Sequence, residues 1–198
     1  MIEFRIKSCR VLIHFSIFAL TSFLAIFADT KNGLLVFVSV LLHETAHLSA
    51  MLLFKICPKI ITVSALGIRI KLDSLRKLSY CESFFISLAG PLSNLIAGFL
   101  CLSLGSYNAM KINLSIGLFH LLPLEPLDGG LALKALVSKH FDKKHADKIC
   151  TIISVIVVFP LMVLGFMLLI HTKNNFSLLL LSVYAMLYLM FRNGKFEL

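Results

Sequence analysis

His43, Glu44 and His47 stand in the order His-Glu-x-x-His, within a largely apolar run from about Leu34 to Phe54. On a helix, residues four apart share a face, so both imidazoles can reach a single Zn²⁺. Glu44, beside the first of them, is placed to take a proton from an attacking water. An ionisable triplet at membrane depth is expensive and marks a functional site. The host segment has no polar face that would account for these residues as solvated.

A catalytic zinc takes three protein ligands and keeps a further position open. Glu125 and Asp128 are the acidic candidates for the third ligand, in the stretch His120-Leu-Leu-Pro-Leu-Glu-Pro-Leu-Asp-Gly-Gly130. Asp128 is favoured, because Pro126 ahead of it and Gly129-Gly130 behind it let the backbone carry a short carboxylate close to a metal. Its structural alternative is an N-cap for a helix starting near Gly129. Glu125 has no assigned role, and His120 is a substitute ligand. His140 and His145, among Lys143, Lys144 and Lys148, read as a solvated face.

These residues need elements to hold them, and composition says which kind. The 198 residues are 59% hydrophobic and 15% charged, with a mean hydropathy of +0.94, the balance of an integral membrane protein. The expected fold is an all-α membrane domain over residues 1–198 with six transmembrane segments. They fall at about 11–28, 34–54, 84–104, 112–133, 151–170 and 176–191. Arg5, Lys7 and Arg10 ahead of Val11 resemble a signal peptide, but no small-residue cleavage site follows Phe27, so the run reads as a retained first span. Gly90-Pro91 breaks or kinks the third span, and the prolines and glycine pair break the fourth. Asn94 can satisfy backbone freed in the third span or bond to a neighbouring helix.

Between the second and third spans, Ile68, Ile70 and Leu72 alternate with Arg69, Lys71 and Asp73. That period of two predicts a short β-hairpin over Ile60–Leu72, turning near Ala65–Gly67. Five cysteines without a Cys-x-x-Cys pair carry no assigned chemistry. Of the 19 Lys and Arg, all but Lys31, Lys111 and Lys173 fall on the side that also holds both termini. The positive-inside rule makes that side cytoplasmic. A basic surface facing anionic lipid accounts for the +9 net charge without nucleic acid.

In His43-Glu44-x-x-His47, Gly90-Pro91-x-x-Asn94 and Pro123-x-x-Pro126-x-Asp128-Gly129, taken in this order and spacing, the chain resembles the site-2 protease family of intramembrane zinc metalloproteases. Within it, the compact six-span branch of stage IV sporulation protein FB is the most similar. The resemblance implies zinc, one per chain, on His43, His47 and Asp128, with Glu44 as catalytic base, and Ile60–Leu72 as a membrane re-entrant β-loop. It implies cleavage of a membrane-bound regulatory precursor, a sigma-factor precursor in sporulation, in the bacterial cell membrane or the mother-cell-derived forespore membrane. The expected partners are that substrate and the bilayer, with membrane inhibitor or activator proteins and self-association left open.

The pattern departs in three places: His120 replaces the usual Asn, Leu131 replaces the usual Arg, and no CBS or PDZ domain is expected. Two other classes stay open, an inactive relative acting as a membrane regulatory partner and a metal or proton transporter.

Overall fold

The computed structural model describes residues 2–6, 9–13, 30–56, 60–64, 67–71, 78–173 and 176–193. Its helices are α1 (Thr30–Leu53), α2 (Tyr80–Ser103), α3 (Tyr107–His120), α4 (Asp128–Ser138), α5 (Lys143–Thr172) and α6 (Ser177–Asn193). Among the described residues, three are long and apolar enough to cross a membrane: Lys31–Leu53, Tyr80–Ser103 and Lys143–Thr172. At 1.5 Å per residue, the 24 residues of α1 extend about 36 Å, more than the hydrocarbon thickness of roughly 30 Å. Their large apolar side chains point outward, as with Leu53, Phe99 and Ile156. Soluble monomers rarely expose apolar surface on this scale, and lipid explains it here.

The chain divides into two units, residues 1–82 with 89–118, and residues 83–88 with 119–198. The first holds a four-stranded sheet of β1 (Ile2–Ile6), β2 (Cys9–Ile13), β3 (Ile60–Ser64) and β4 (Gly67–Lys71), in that order. β1–β2 and β3–β4 are antiparallel pairs, and β2 runs parallel to β3. A parallel pair needs a long crossover, and α1 lies within the one that joins these two strands. The apolar–charged alternation of Ile2-Glu3-Phe4-Arg5-Ile6 is the sequence signal for β1.

This sheet corrects the first expected span. Val11–Ile13 belong to β2 and not to a transmembrane helix beginning at residue 11, because they pair with Ile61–Val63 and Phe4–Ile2. The remainder of that span, residues 14–28, lies outside the described residues.

In the same unit α2 and α3 approach closely. A Cβ on Gly98 would fall 2.8 Å from Leu114 Cγ, and one on Gly117 would fall 3.0 Å from the Pro91 carbonyl oxygen. Ala109, Asn113 and Gly117, four apart, are the buried face of α3. Small residues at such spacing let helices close up where lipid offers no hydrophobic drive. The third span is not broken: α2 runs through Pro91 without interruption. Pro91 is fully buried, and the Ser93 hydroxyl donates to the Gly90 carbonyl at 2.7 Å, satisfying backbone within the helix. A capping box of Ser79 and Glu82 starts the helix.

In the second unit α4 packs on α5, and α5 on α6. Leu124, Val158, Ala185 and Leu189 form its buried apolar core. The expected fourth span, 112–133, is two helices separated by residues 121–127, so its break falls where the prolines placed it. Lys143, Lys144 and Lys148 lie in the opening turns of α5, which starts eight residues before the expected span at 151.

Candidate metal centre

His43 and His47 face the same way from the middle of α1, and their Nε2 atoms lie 3.2 Å apart. Zinc–imidazole bonds of about 2.0–2.1 Å at a tetrahedral angle set two such nitrogens roughly 3.3 Å apart. The pair therefore already has the span of adjacent corners on one zinc. His43 is buried, and its Nδ1–H donates to Asn94 Oδ1 at 2.7 Å. Asn94, itself fully buried, donates from Nδ2 to the Ser39 carbonyl at 3.1 Å and to Asn113 Oδ1 at 3.0 Å. Asn113 Nδ2 donates to the Ala109 carbonyl at 2.9 Å.

Space over the two imidazoles is kept by Gly90. A Cβ there would lie 2.6 Å from His43 Nε2, and closer still to His47 Nε2. Two Nε2 atoms border a cradle that the smallest side chain would fill. Two imidazole nitrogens at this spacing, with room beside them, fit two of the ligand positions of the metal that the His-Glu-x-x-His spacing suggested. Glu44, next to His43 and partly buried, lies about 100° around α1 from it.

In the second unit Asp128 opens α4, as the first helical residue after the cap position at Leu127. It is therefore not the N-cap that sequence offered as its structural alternative. A carboxylate in the first turn suits the helix dipole. His120, the last residue of α3, donates from Nδ1 to Asp128 Oδ2 at 2.8 Å. Gly129 and Gly130 are not flexible spacers beside this acid. They are buried at the start of α4, where Cβ atoms would collide with backbone of the loop, 2.5 Å from the Leu122 carbonyl oxygen and 2.6 Å from that of Leu124. The glycines let α4 begin directly against residues 121–125, and that contact holds Asp128 in place.

His140 and His145 are exposed. His145 Nδ1 bonds to Asp142, whose carboxyl is held below the usual carboxylate range chiefly by that hydrogen bond. A lowered carboxylate stabilises the fold above its ordinary pKa and loses that contribution as pH falls through the lowered value. Following the Asp142 carboxyl by NMR should thus give a midpoint below the ordinary value, returning toward it in His145→Ala.

No family model matches the chain. A curated zinc metalloprotease of Methanocaldococcus jannaschii is 27% identical over 164 residues, covering 77% of this chain and 46% of that protein. The chain thus spans about half the length of that relative. A solved site-2 protease from Methanocaldococcus jannaschii superposes with a TM-score of 0.67, at 24% identity, over 100% of this chain and 97% of that one. The fold is that of a site-2 protease.

Two features of this site-2 protease fold were missed in the sequence. Asn113 carries no signal of its own within an apolar span, yet it is buried and bonded to Asn94. Glu125, left without a role, is buried with Oε1 3.7 Å from Lys134 Nζ, which lies 2.6 Å from Asp147 Oδ1. The Glu125 backbone N–H also donates to Ser154 Oγ at 3.2 Å. These contacts tie the loop before Asp128 to α4 and α5. Lys134 reads in sequence as a span boundary, and its i+9 relation to Glu125 across Pro126 and the glycine pair has no periodic signature.

Removing one member of a buried ion pair strands the other, a loss of on the order of 3 kcal/mol. Lys134→Met should lower the unfolding free energy by about that amount. The double variant with Glu125→Gln should recover most of it in thermal unfolding. Simple additivity of the two changes would show that the charges do not act as a pair.

Proposed function

We propose that the chain is an intramembrane zinc metalloprotease. The observation that carries this reading is the His43–His47 pair, with Nε2 atoms 3.2 Å apart under the cradle that Gly90 leaves. We assign His43, His47 and Asp128, the three ligands that the motif resemblance implies, to one zinc per chain. The similarity to a zinc metalloprotease supports the choice of metal. When bound, zinc supplies a Lewis acid that polarises the scissile peptide carbonyl. Glu44 accepts a proton from the attacking water and returns it to the leaving amine. His120, hydrogen-bonded to Asp128, orients that carboxylate.

The substrate is a membrane-tethered protein whose helix must open before its backbone can be cut. Among the described residues β4 ends the sheet order, and an extended segment pairing along its outer edge would be held unwound. Helix-breaking residues near the cleaved bond should therefore raise the rate. The motif resemblance points further to a sigma-factor precursor in the branch of stage IV sporulation protein FB, and the Lys and Arg distribution to cytoplasmic termini.

Co-expression with such a tethered precursor tests the reading. A shortened, released product that disappears in His43→Gln, His47→Gln and Asp128→Asn is the expected result. Cleavage that survives all three substitutions would remove the metalloprotease assignment. Zinc retained by a wild type that cleaves no tethered precursor would support the inactive-relative class.

A further inference from the structure

The metal ligand His43 is the last member of a buried chain of amides, and every link in that chain has one permitted direction. The Ser39 carbonyl oxygen can only accept. The Asn94 atom 3.1 Å from it must therefore be the NH₂ group. The second hydrogen of that group goes to Asn113 Oδ1 at 3.0 Å. Asn113 is oriented in the same way, because its own NH₂ donates to the Ala109 carbonyl, another obligatory acceptor, at 2.9 Å. Reversing Asn94 would set its oxygen against two oxygens in a dry interior, where an unsatisfied polar group is costly. With both Nδ2 hydrogens committed, Asn94 presents only an acceptor to His43 Nδ1, 2.7 Å away.

We propose that Asn94, itself oriented by Asn113 and the Ser39 carbonyl, is a positioning residue that locks neutral His43 in its Nδ1–H tautomer and so keeps the Nε2 lone pair turned toward the metal. An imidazole in water prefers the other tautomer modestly or exchanges between the two, and a fixed hydrogen-bond acceptor decides the choice. Metal-ligating histidines are commonly held by a carboxylate or a backbone carbonyl. Here a neutral side-chain amide does it, which adds no further negative charge to a site that already holds Glu44. The inference rests on the zinc reading for its purpose, but the tautomer is a property of the metal-free protein.

That separation shapes the test. Full-length protein in lipid, ¹⁵N-labelled at histidine and stripped of metal, is examined at about pH 8.5, two units above the ordinary imidazole value. The imidazole ¹⁵N pattern reports which nitrogen carries the proton, and the His43 signal is assigned as the one lost in His43→Gln. Wild type is expected to show Nδ1–H at His43. Asn94→Leu, similar in size but without an acceptor, should lose that preference and bind zinc about 10–100-fold more weakly. Asn94→Asp keeps an acceptor for His43 while opposing the Ser39 and Asn113 oxygens. It should restore the tautomer and most of the zinc affinity, although it melts below wild type.

A role in packing alone would instead rank zinc affinity with melting temperature across the three proteins. That ranking, or an Nε2–H His43 in wild type, would overturn the proposal. Nδ1–H at His43 in a wild type that binds no zinc would leave the amide chain standing and remove the zinc reading instead.

Discussion

Glu44→Gln is expected to abolish detectable cleavage while leaving zinc in place. The amide is nearly the size of the carboxylate, and Glu44 is not among the residues assigned to the metal, so the site should still load. What is lost is the proton acceptor for the attacking water, worth about 10²–10⁴-fold in rate. Metal analysis of the purified variant and cleavage of a co-expressed tethered precursor check both halves. Retained cleavage at a rate near wild type would show that Glu44 is not the base. Loss of zinc together with cleavage would show that Glu44 helps to hold the site, and the kinetic result would then say nothing of proton transfer.

The second large effect is expected at a residue with no side chain. In Gly90→Ala the added Cβ would lie 2.6 Å from His43 Nε2 and 2.8 Å from its Cδ2, with His47 Nε2 nearer still. Ordinary contacts to a methyl group begin roughly an ångström farther out, at about 3.5–4.0 Å. His43 cannot easily retreat, because it is buried and tied through Nδ1 to Asn94. The methyl group therefore competes for the place where a metal would meet both imidazoles. Zinc affinity should fall by at least the 10–100-fold seen when a supporting residue of a metal site is lost. Overpacking should lower stability by about 1–3 kcal/mol. Competition with a chromophoric chelator measures the first and thermal unfolding the second. Unchanged zinc affinity would mean that the metal does not sit under Gly90.

Gly90 illustrates how unevenly the sequence disclosed this site. His43, Glu44 and His47 were legible at once, because a single helix sets their geometry and four-residue spacing is enough to place two rings together. Gly90 and Asn94 were visible as a Gly-Pro-x-x-Asn segment, but their roles were not. Sequence suggests that Gly-Pro interrupts a helix, whereas α2 continues through it, and the glycine's contribution is the space it leaves. Asn113 gave no signal. Its partners lie 19 residues away on another helix and four residues back along its own backbone, and one asparagine in an apolar run has no period to betray it.

The loop before Asp128 followed the same division. The break before Asp128 was readable from Pro123 and Pro126, since proline acts locally, whereas the glycine pair lies inside α4. The burial of Glu125 was not, since it depends on Lys134 and Asp147 arriving from later elements. At the other end of the chain, the apolar content after Val11 hid β2, whose pairing with β3 is a long-range event. Composition speaks of where a segment is comfortable, not of which strand it will find.

The measurement that bears most directly on the central claim is the zinc content of wild-type protein, purified in lipid without added metal and without a histidine tag. About one zinc per chain is expected, falling to a small fraction in His43→Gln and in His47→Gln at unchanged helix content by circular dichroism. A folded wild type that carries no zinc, and takes up none when it is offered, would contradict the account.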